Sequence, residues 1–432
     1  MGEVRASMPG APGDEPQRAG LAGPFGVAEF RALWAAELVS VAGDQLARVA
    51  LTVLVYGRTD SAVWAAATYA LTFLPALFGG VLLGRLADRY ARRAVMISCD
   101  LVRAVLVALM ALPAMPLGVV CALLVVVVLL APPHSAAQGA LLPQVLRGSL
   151  FEAGLALRQI TNQAGQVAGF ALGGVLVAVL SPSAALGIDA ATFAVSAFVL
   201  RIGVRARPAP TLPGAPTLAH GSWVDEIGGG LRTVFGHPRR LLLAAAVWLV
   251  GCYVLPEALA APYAAQLGAG PALVGALMAA DPAGSVVGVW LFTRFAPERM
   301  RMRLIWPLAV LAGLPLAACA FAPGPVASVL LWAVAGAAAT ACLVQAQAEF
   351  VRSTPDEMRG RAIAVAASGL ITAQGAAVLL GGVAAEAWTA RDAVVACGLV
   401  GALVAGALGV ASRRLELRVA TAGACQNVRL AR

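Results

Sequence analysis

The stretch "GRLADRYARRA", Gly84–Ala94, gathers Arg85, Asp88, Arg89, Arg92 and Arg93 in a chain that is only 12% charged and 60% hydrophobic. Such a cluster suits a solvated turn, a nucleic-acid patch, a lipid-headgroup anchor or a working part, and its flanks decide between them. On both sides lie continuous apolar runs. Over 432 residues the mean hydropathy is +0.84, more than a water-facing surface tolerates, so the solvent is lipid. A bilayer core needs about 20 apolar residues per helix. That criterion predicts twelve spans: 30–56, 61–84, 94–112, 116–140, 154–180, 184–202, 240–266, 272–295, 304–321, 326–350, 361–386 and 392–411. A β-barrel is excluded, because its strands alternate apolar and polar residues.

Six spans precede a polar break at 203–239 and six follow it. The expected organisation is a disordered cytoplasmic tail (1–28), an N-terminal six-helix bundle (29–202), a cytoplasmic linker with a surface helix (203–239), a C-terminal bundle (240–412) and a cytoplasmic tail (413–432). In the break, "RARPAPTLPGAPT" reads as linker and "SWVDEIGGGLRTVFGHPRRL" as a helix lying along the membrane. Cytoplasmic loops collect positive charge. Alternate connections hold Arg85 to Arg93, Arg147 and Arg158, Arg205 to Arg240, Arg294 to Arg303, and Arg352 to Arg361. The other set holds little beyond Arg58 and Arg391, so both termini are expected in the cytoplasm.

All 31 basic residues are arginines, and the Ala, Gly, Arg and Pro bias suggests a GC-rich bacterial genome and hence a bacterial cytoplasmic membrane. The net charge of +9 suggests nucleic acid in a soluble protein, but arginines between apolar runs orient membrane segments instead. Seven cysteines show no close pairing along the sequence, and with six of them in apolar segments they read as small core residues; His134, His220 and His237 are too scattered for a metal site. No phosphate-binding GxxxxGK[ST] loop and no nucleophile–base constellation is visible, so neither an enzyme nor a cofactor is expected.

The two halves repeat. "GRLADRYARR" from Gly84 aligns with "TRFAPERMRMR" from Thr293 at an offset of 209. "QVAGFALGGV" from Gln166 aligns with "QGAAVLLGGV" from Gln374 at 208, and "LPQVLRG" from Leu142 with "TPDEMRG" from Thr354 at 212. Three ordered matches at nearly one offset argue for a duplicated six-helix unit.

These residues resemble the major facilitator superfamily. "GRLADRYARR" is similar to its loop signature between helices 2 and 3, with Gly84, Asp88, Arg89, Arg92 and Arg93 in place and Ala91 where glycine is usual. "GQVAGFALGG" resembles the fifth-helix signature of family exporters at Gly165, Gly169, Gly173 and Gly174, with Phe170 where proline is typical. "VAGDQLARVAL", "CDLVRA" and "APPHSAAQGALLP" resemble the subgroup of the enterobactin exporter and macrolide-efflux proteins. The resemblance implies two pseudo-symmetric bundles around a cavity lined by spans 1, 4, 7 and 10. It also implies that Asp88 and its arginines form a cytoplasmic latch against the other bundle, with Asp100 and Arg103 linking that loop to the moving bundle.

Apart from the resemblance, Asp100 and Arg103, three apart, form a local ion pair by default. In span 1, Glu37, Asp44 and Arg48 share one helical face. An ionised residue at the bilayer centre costs roughly 2.5 to 3.5 kcal/mol, so that face points inward. Asp44 and Arg48 either pair with each other or line a cavity. Glu257 and Asp281 have no basic neighbour within a turn; each carries a proton or is satisfied by tertiary partners. Tyr253, Gln163 and Gln166 are candidates for the cavity wall. The four glycines of span 5 recur as small-xxx-small, for close packing or for sliding. The expected function is a monomeric secondary transporter, with protons coupled to export of a small amphipathic compound such as a drug, siderophore or secondary metabolite. Solute uptake by the same fold, or a non-transporting sensor or scaffold, stays open.

Overall fold

A computed structural model of the chain describes residues 21–83, 86–209, 223–321 and 324–430. The expected N-terminal tail lies outside these up to residue 20, as do Gly84, Arg85 and residues 210–222 of the linker. Regular structure among the described residues is entirely helical. The first half comprises α1 (Ala28–Thr59), α2 (Ala62–Leu71), α3 (Ala76–Leu83), α4 (Leu86–Arg89), α5 (Arg92–Met110), α6 (Leu117–Leu129), α7 (Ala131–Val145), α8 (Ser149–Val179) and α9 (Pro182–Gly203). After α10 (Trp223–Phe235), the second half comprises α11 (Pro238–Gly251), α12 (Leu255–Ala258), α13 (Ala260–Gln266), α14 (Pro271–Phe295), α15 (Glu298–Arg301), α16 (Ile305–Ala318), α17 (Pro325–Arg352), α18 (Arg359–Ala387) and α19 (Ala390–Leu430).

Ten helical stretches among the described residues are long and apolar enough to cross a membrane. The other two expected spans, 94–112 and 304–321, are helical as well. The first falls on α5, whose Arg92, Arg93, Asp100 and Arg103 dilute its apolar character, and the second on Met302–Ala318, which is short. The last helix continues to Leu430, through most of the segment expected as a C-terminal tail.

Helix starts follow local chemistry. Prolines 182, 238, 271 and 325 open α9, α11, α14 and α17, where the missing N–H costs nothing. The Ser61 and Ser181 hydroxyls accept from the N–H groups of Trp64 and Ala184. The second expected span is interrupted between α2 and α3 at Pro75, and the Thr72 hydroxyl donates to the Tyr69 carbonyl at 2.7 Å. The seventh is broken into α11, a 3₁₀ turn, α12 and α13, with Pro256 and Pro262 inside the break. Residues such as Val105, Phe198, Leu380 and Leu403 point their apolar side chains outward, as a lipid-facing wall requires.

Within the first half α1 packs on α8 and α9, and α5 on α7 and α9; within the second, α14 packs on α17, and α16 on α17 and α19. Two seams join the halves, α8 with α14 and α2 with α18. Each depends on a small residue. A Cβ on Gly174 would lie 2.7 Å from the Gly275 Cα, and one on Gly382 would lie 2.6 Å from the Ala66 Cβ. Gly382 follows Gly174 by 208 residues and Gly275 follows Ala66 by 209, so the seams are mates under the internal repeat. The short helices α4 and α15 likewise occupy matching places after the second and eighth spans.

Both seams lie toward the end of the molecule opposite the arginine-rich connections. Among the described residues, every hydrogen bond between the halves ends on one of two carboxylates. Glu386 Oε2 accepts from the Ser61 hydroxyl at 3.0 Å and from the backbone N–H groups of Ala62 at 2.8 Å and Val63 at 3.3 Å. Glu257 accepts from the Tyr69 hydroxyl. No hydrogen bond or ion pair joins the halves at the arginine-rich end among those residues.

Candidate functional site

Of the two readings of Asp44 and Arg48, the mutual pair does not form, and both residues line a cavity. Asp44 binds Arg103 of α5 at 2.8 Å, and the same guanidinium lies 4.0 Å from the centre of the Phe193 ring. Arg103 reaches across to α1, so the local Asp100–Arg103 pair is absent too. Glu37, 8% exposed, chelates Arg158 of α8 at 2.8 and 3.0 Å and accepts from Gln138 Nε2 at 3.0 Å. Arg158 in turn donates to Gln138 Oε1 at 3.0 Å, closing a ring across α1, α7 and α8. Arg48 forms no ion pair among the described residues.

Asp100 is fully buried. It accepts from the Ser196 hydroxyl of α9 at 2.6 Å, and His134 Nε2 stands 3.3 Å from its other oxygen. Asp189 of α9, 1% exposed, accepts from Thr192 at 3.2 Å and lies beside Gly43, where a Cβ would come within 2.4 Å of its carboxylate. Sequence reasoning passed over Asp189 and Arg158 as site residues and treated His134 only as an improbable metal ligand. A lone acid inside the apolar run "LGIDAATFAV" was the available signal for Asp189.

Two cavities run through the first half. One of about 300 Å³ is lined by Glu37, Asp44, Arg48, His134, Gln138 and Gln166 among others. The second, of about 220 Å³, is more apolar and shares Asp44, Arg48 and Arg103 with it while reaching Asp189 and Thr72. Expected spans 7 and 10 contribute no residue to either of these two cavities. Gln166 lines the larger cavity and donates to Asn162 at 2.8 Å and Gln163 at 3.2 Å, while Gln163 lines neither. Tyr253 is also displaced from its expected place. The 3₁₀ turn in the broken helix buries it in the second half, where its hydroxyl donates to the Ala309 carbonyl at 3.2 Å and packs on Gly313 and Gly401.

Glu257 and Asp281 were left without partners in the linear sequence. In the fold Glu257, 8% exposed, receives the Tyr69 hydroxyl from the other half. Asp281 and Arg48 lie within electrostatic reach of it. Asp281 packs against Gly336 of α17, where a Cβ would stand 2.4 Å from its carboxylate oxygen. Arg48 precedes Glu257 by 209 residues, so the repeat sets a cation and an acid at matching places in the two halves.

The α8 glycines divide their work. Gly165, Gly169 and Gly173 admit Val41, Ala42 and Leu46 of α1, while Gly174 meets Gly275 across the seam. No cluster of metal-binding side chains occurs among the described residues, and the six cysteines described are free.

The sequence profile described as Major Facilitator Superfamily matches residues 33–349. The chain belongs to that superfamily. No curated protein matches the sequence. Similar solved structures include the nucleoside transporter NupG, at 17% identity and TM-score 0.64, covering 88% of this chain and 98% of that one. A POT family transporter in complex with 5-aminolevulinic acid matches at 10% identity and TM-score 0.71, covering 92% and 98%. A bacterial homolog of the human lysosomal transporter Spinster, inward-facing and unoccupied, matches at 16% and 0.65, covering 94% and 99%. At these identities the likeness is one of fold.

The superfamily's loop signature falls on α4 and the start of α5. Gly84 lies outside the described residues, and Asp88 falls within α4. Arg89 is exposed, with its guanidinium 5.9 Å from the Tyr90 ring centre. Arg92 donates to the Ala140 carbonyl at 2.7 Å and Arg93 to that of Arg201, tying α5 to the ends of α7 and α9. Asp100 and Arg103, placed with the latch by resemblance, sit deeper and belong to the α1–α5–α9 charge network.

Proposed function

We propose that this protein is a secondary active transporter of twelve crossings, with both termini cytoplasmic, that works by alternating access and couples proton movement to export of a small amphipathic compound. One observation carries the reading: among the described residues, the hydrogen bonds between the halves all end on carboxylates, one of them buried at the Tyr69–Glu257 contact. A carrier needs two arrangements of similar energy, so a ligand or proton worth a few kcal/mol redistributes them. Protonation of Glu257 removes the charge that holds the Tyr69 hydroxyl and loosens the seam. Asp281 and Arg48 set the field in which that proton is exchanged. The halves join at the end away from the arginine-rich loops, which supports an arrangement open to the cytoplasm. Substrate enters between the halves and meets the polar wall of α1, α7 and α8. Asp88 and the arginines around it close the cytoplasmic end in the opposite arrangement.

Everted vesicles containing the protein test this. Proton-gradient-driven accumulation should occur for at least one compound of a dye, antibiotic and siderophore panel. Glu257→Gln should abolish the gradient dependence while leaving the protein folded. Wild-type coupling in Glu257→Gln and Asp281→Asn would sink the proposed role of these acids.

A further inference from the structure

A third concave site lies at the arginine-rich end of the first half, sharing no lining residue with the two cavities above. Arg92 and Arg93 at the start of α5, Leu141 and Gln144 on α7, and Arg205, Arg207 and Pro208 after α9 enclose about 50 Å³. Arg92 and Arg93 each spend one arm on a backbone carbonyl, of Ala140 and Arg201 respectively, and leave a buried Nε without a partner. Arg207 is matched by Glu29, which also accepts from the Arg205 backbone N–H at 3.0 Å. The Arg205 side chain is exposed and makes no ion pair among the described residues. Four guanidinium groups thus converge against one carboxylate. Water can satisfy the Nε donors but cannot offset three surplus charges in one pocket. A carboxylate offers two oxygens, whereas a phosphate group presents more acceptors to several planar guanidinium forks.

We propose that this pocket binds a phosphate group, carried by an anionic lipid headgroup or by a soluble phosphate. The surrounding surface favours the lipid. Phe198 and Ile202, on the turns of α9 just before Arg205, are 63% and 70% exposed and offer acyl chains an apolar surface on the helix that leads into the pocket's Arg205.

The test uses the full chain in nanodiscs and in lipid-free detergent. Native mass spectrometry should retain phosphatidylglycerol over phosphatidylcholine on the wild type. Arg205→Glu, which breaks no ion pair, should weaken that retention at least about tenfold. Arg205→Gln gives the same reading should the reversal disturb folding, and ligand-free unfolding midpoints of both variants check this. Protection by phosphatidylglycerol but not by inorganic phosphate or pyrophosphate assigns a lipid headgroup. Protection by the soluble anions assigns a soluble phosphate. Equal retention of the two lipids, together with no Arg205-dependent protection by either soluble anion, overturns the site. Because the readout is binding, failure here is separable from failure of the transport reading.

Discussion

At the scale of single residues, the first half is organised by who pairs with whom inside lipid. Arg103 is the cation nearest Asp44, and its charge also faces Asp189, so it serves two acids while resting on Phe193. Arg103 is buried while the Asp44 side chain is 34% exposed, so the cost of removing the cation falls mainly on buried Asp189 and stays below the roughly 3 to 5 kcal/mol of a fully buried pair. Arg103→Gln should therefore lower the detergent unfolding midpoint. Asp44→Asn in the same chain should recover part of the loss, since it removes one of the orphaned acids. Strictly additive losses would contradict the pairing. Arg48→Gln is the contrast, because no ion pair among the described residues is broken. It should lower the unfolding midpoint less than Arg103→Gln does and act chiefly on transport.

At the scale of elements, small residues govern how closely helices approach. A side chain at Gly174 has no flexible neighbour to displace, because the atoms it meets are the backbone of Gly275 and Pro271. Gly174→Leu should force α8 from α14 and abolish transport, while Gly187→Leu, on α9 where a Cβ meets nothing within 4 Å, should be tolerated. Transport by Gly174→Leu at the wild-type rate would remove the seam from the mechanism. Helices of this kind were legible in the sequence, because an apolar run long enough to cross lipid leaves the backbone little choice but to satisfy itself. The repeat was legible for the same reason, through glycines and arginines at one offset. Partners were not. Arg103 with Asp44 and Arg158 with Glu37 are separated by 59 and 121 residues, and nothing in local spacing selects them over the nearer Arg48. Tyr253 was misplaced because the break around Pro256 turns it away from the face that an unbroken helix would present.

At the scale of the whole molecule, the repeat is broken where the halves are tied. The seams at Gly174 and Gly382 are mates, but the position 208 residues before Glu386 is Ala178, which has no carboxylate to cap α14. Glu386 therefore caps α2 across the seam with no counterpart, and it is exposed where Glu257 is buried. An acid on a helix N-terminus is worth about 1 kcal/mol through its hydrogen bonds and the helix dipole. Glu386→Gln keeps the size and one acceptor but removes the charge. It should shift the balance between the two arrangements about fivefold toward separation at this end. Spin labels introduced by Trp64→Cys and Trp388→Cys, both at exposed positions beside the contact, report that separation directly in a background with the native cysteines replaced. The distance distribution should gain a longer component in Glu386→Gln, and Glu257→Gln should enlarge it further, since the two carboxylates hold the seam at different depths. An unchanged distribution in both variants would mean that the packing at Gly174 and Gly382, and not the carboxylates, decides which end is closed.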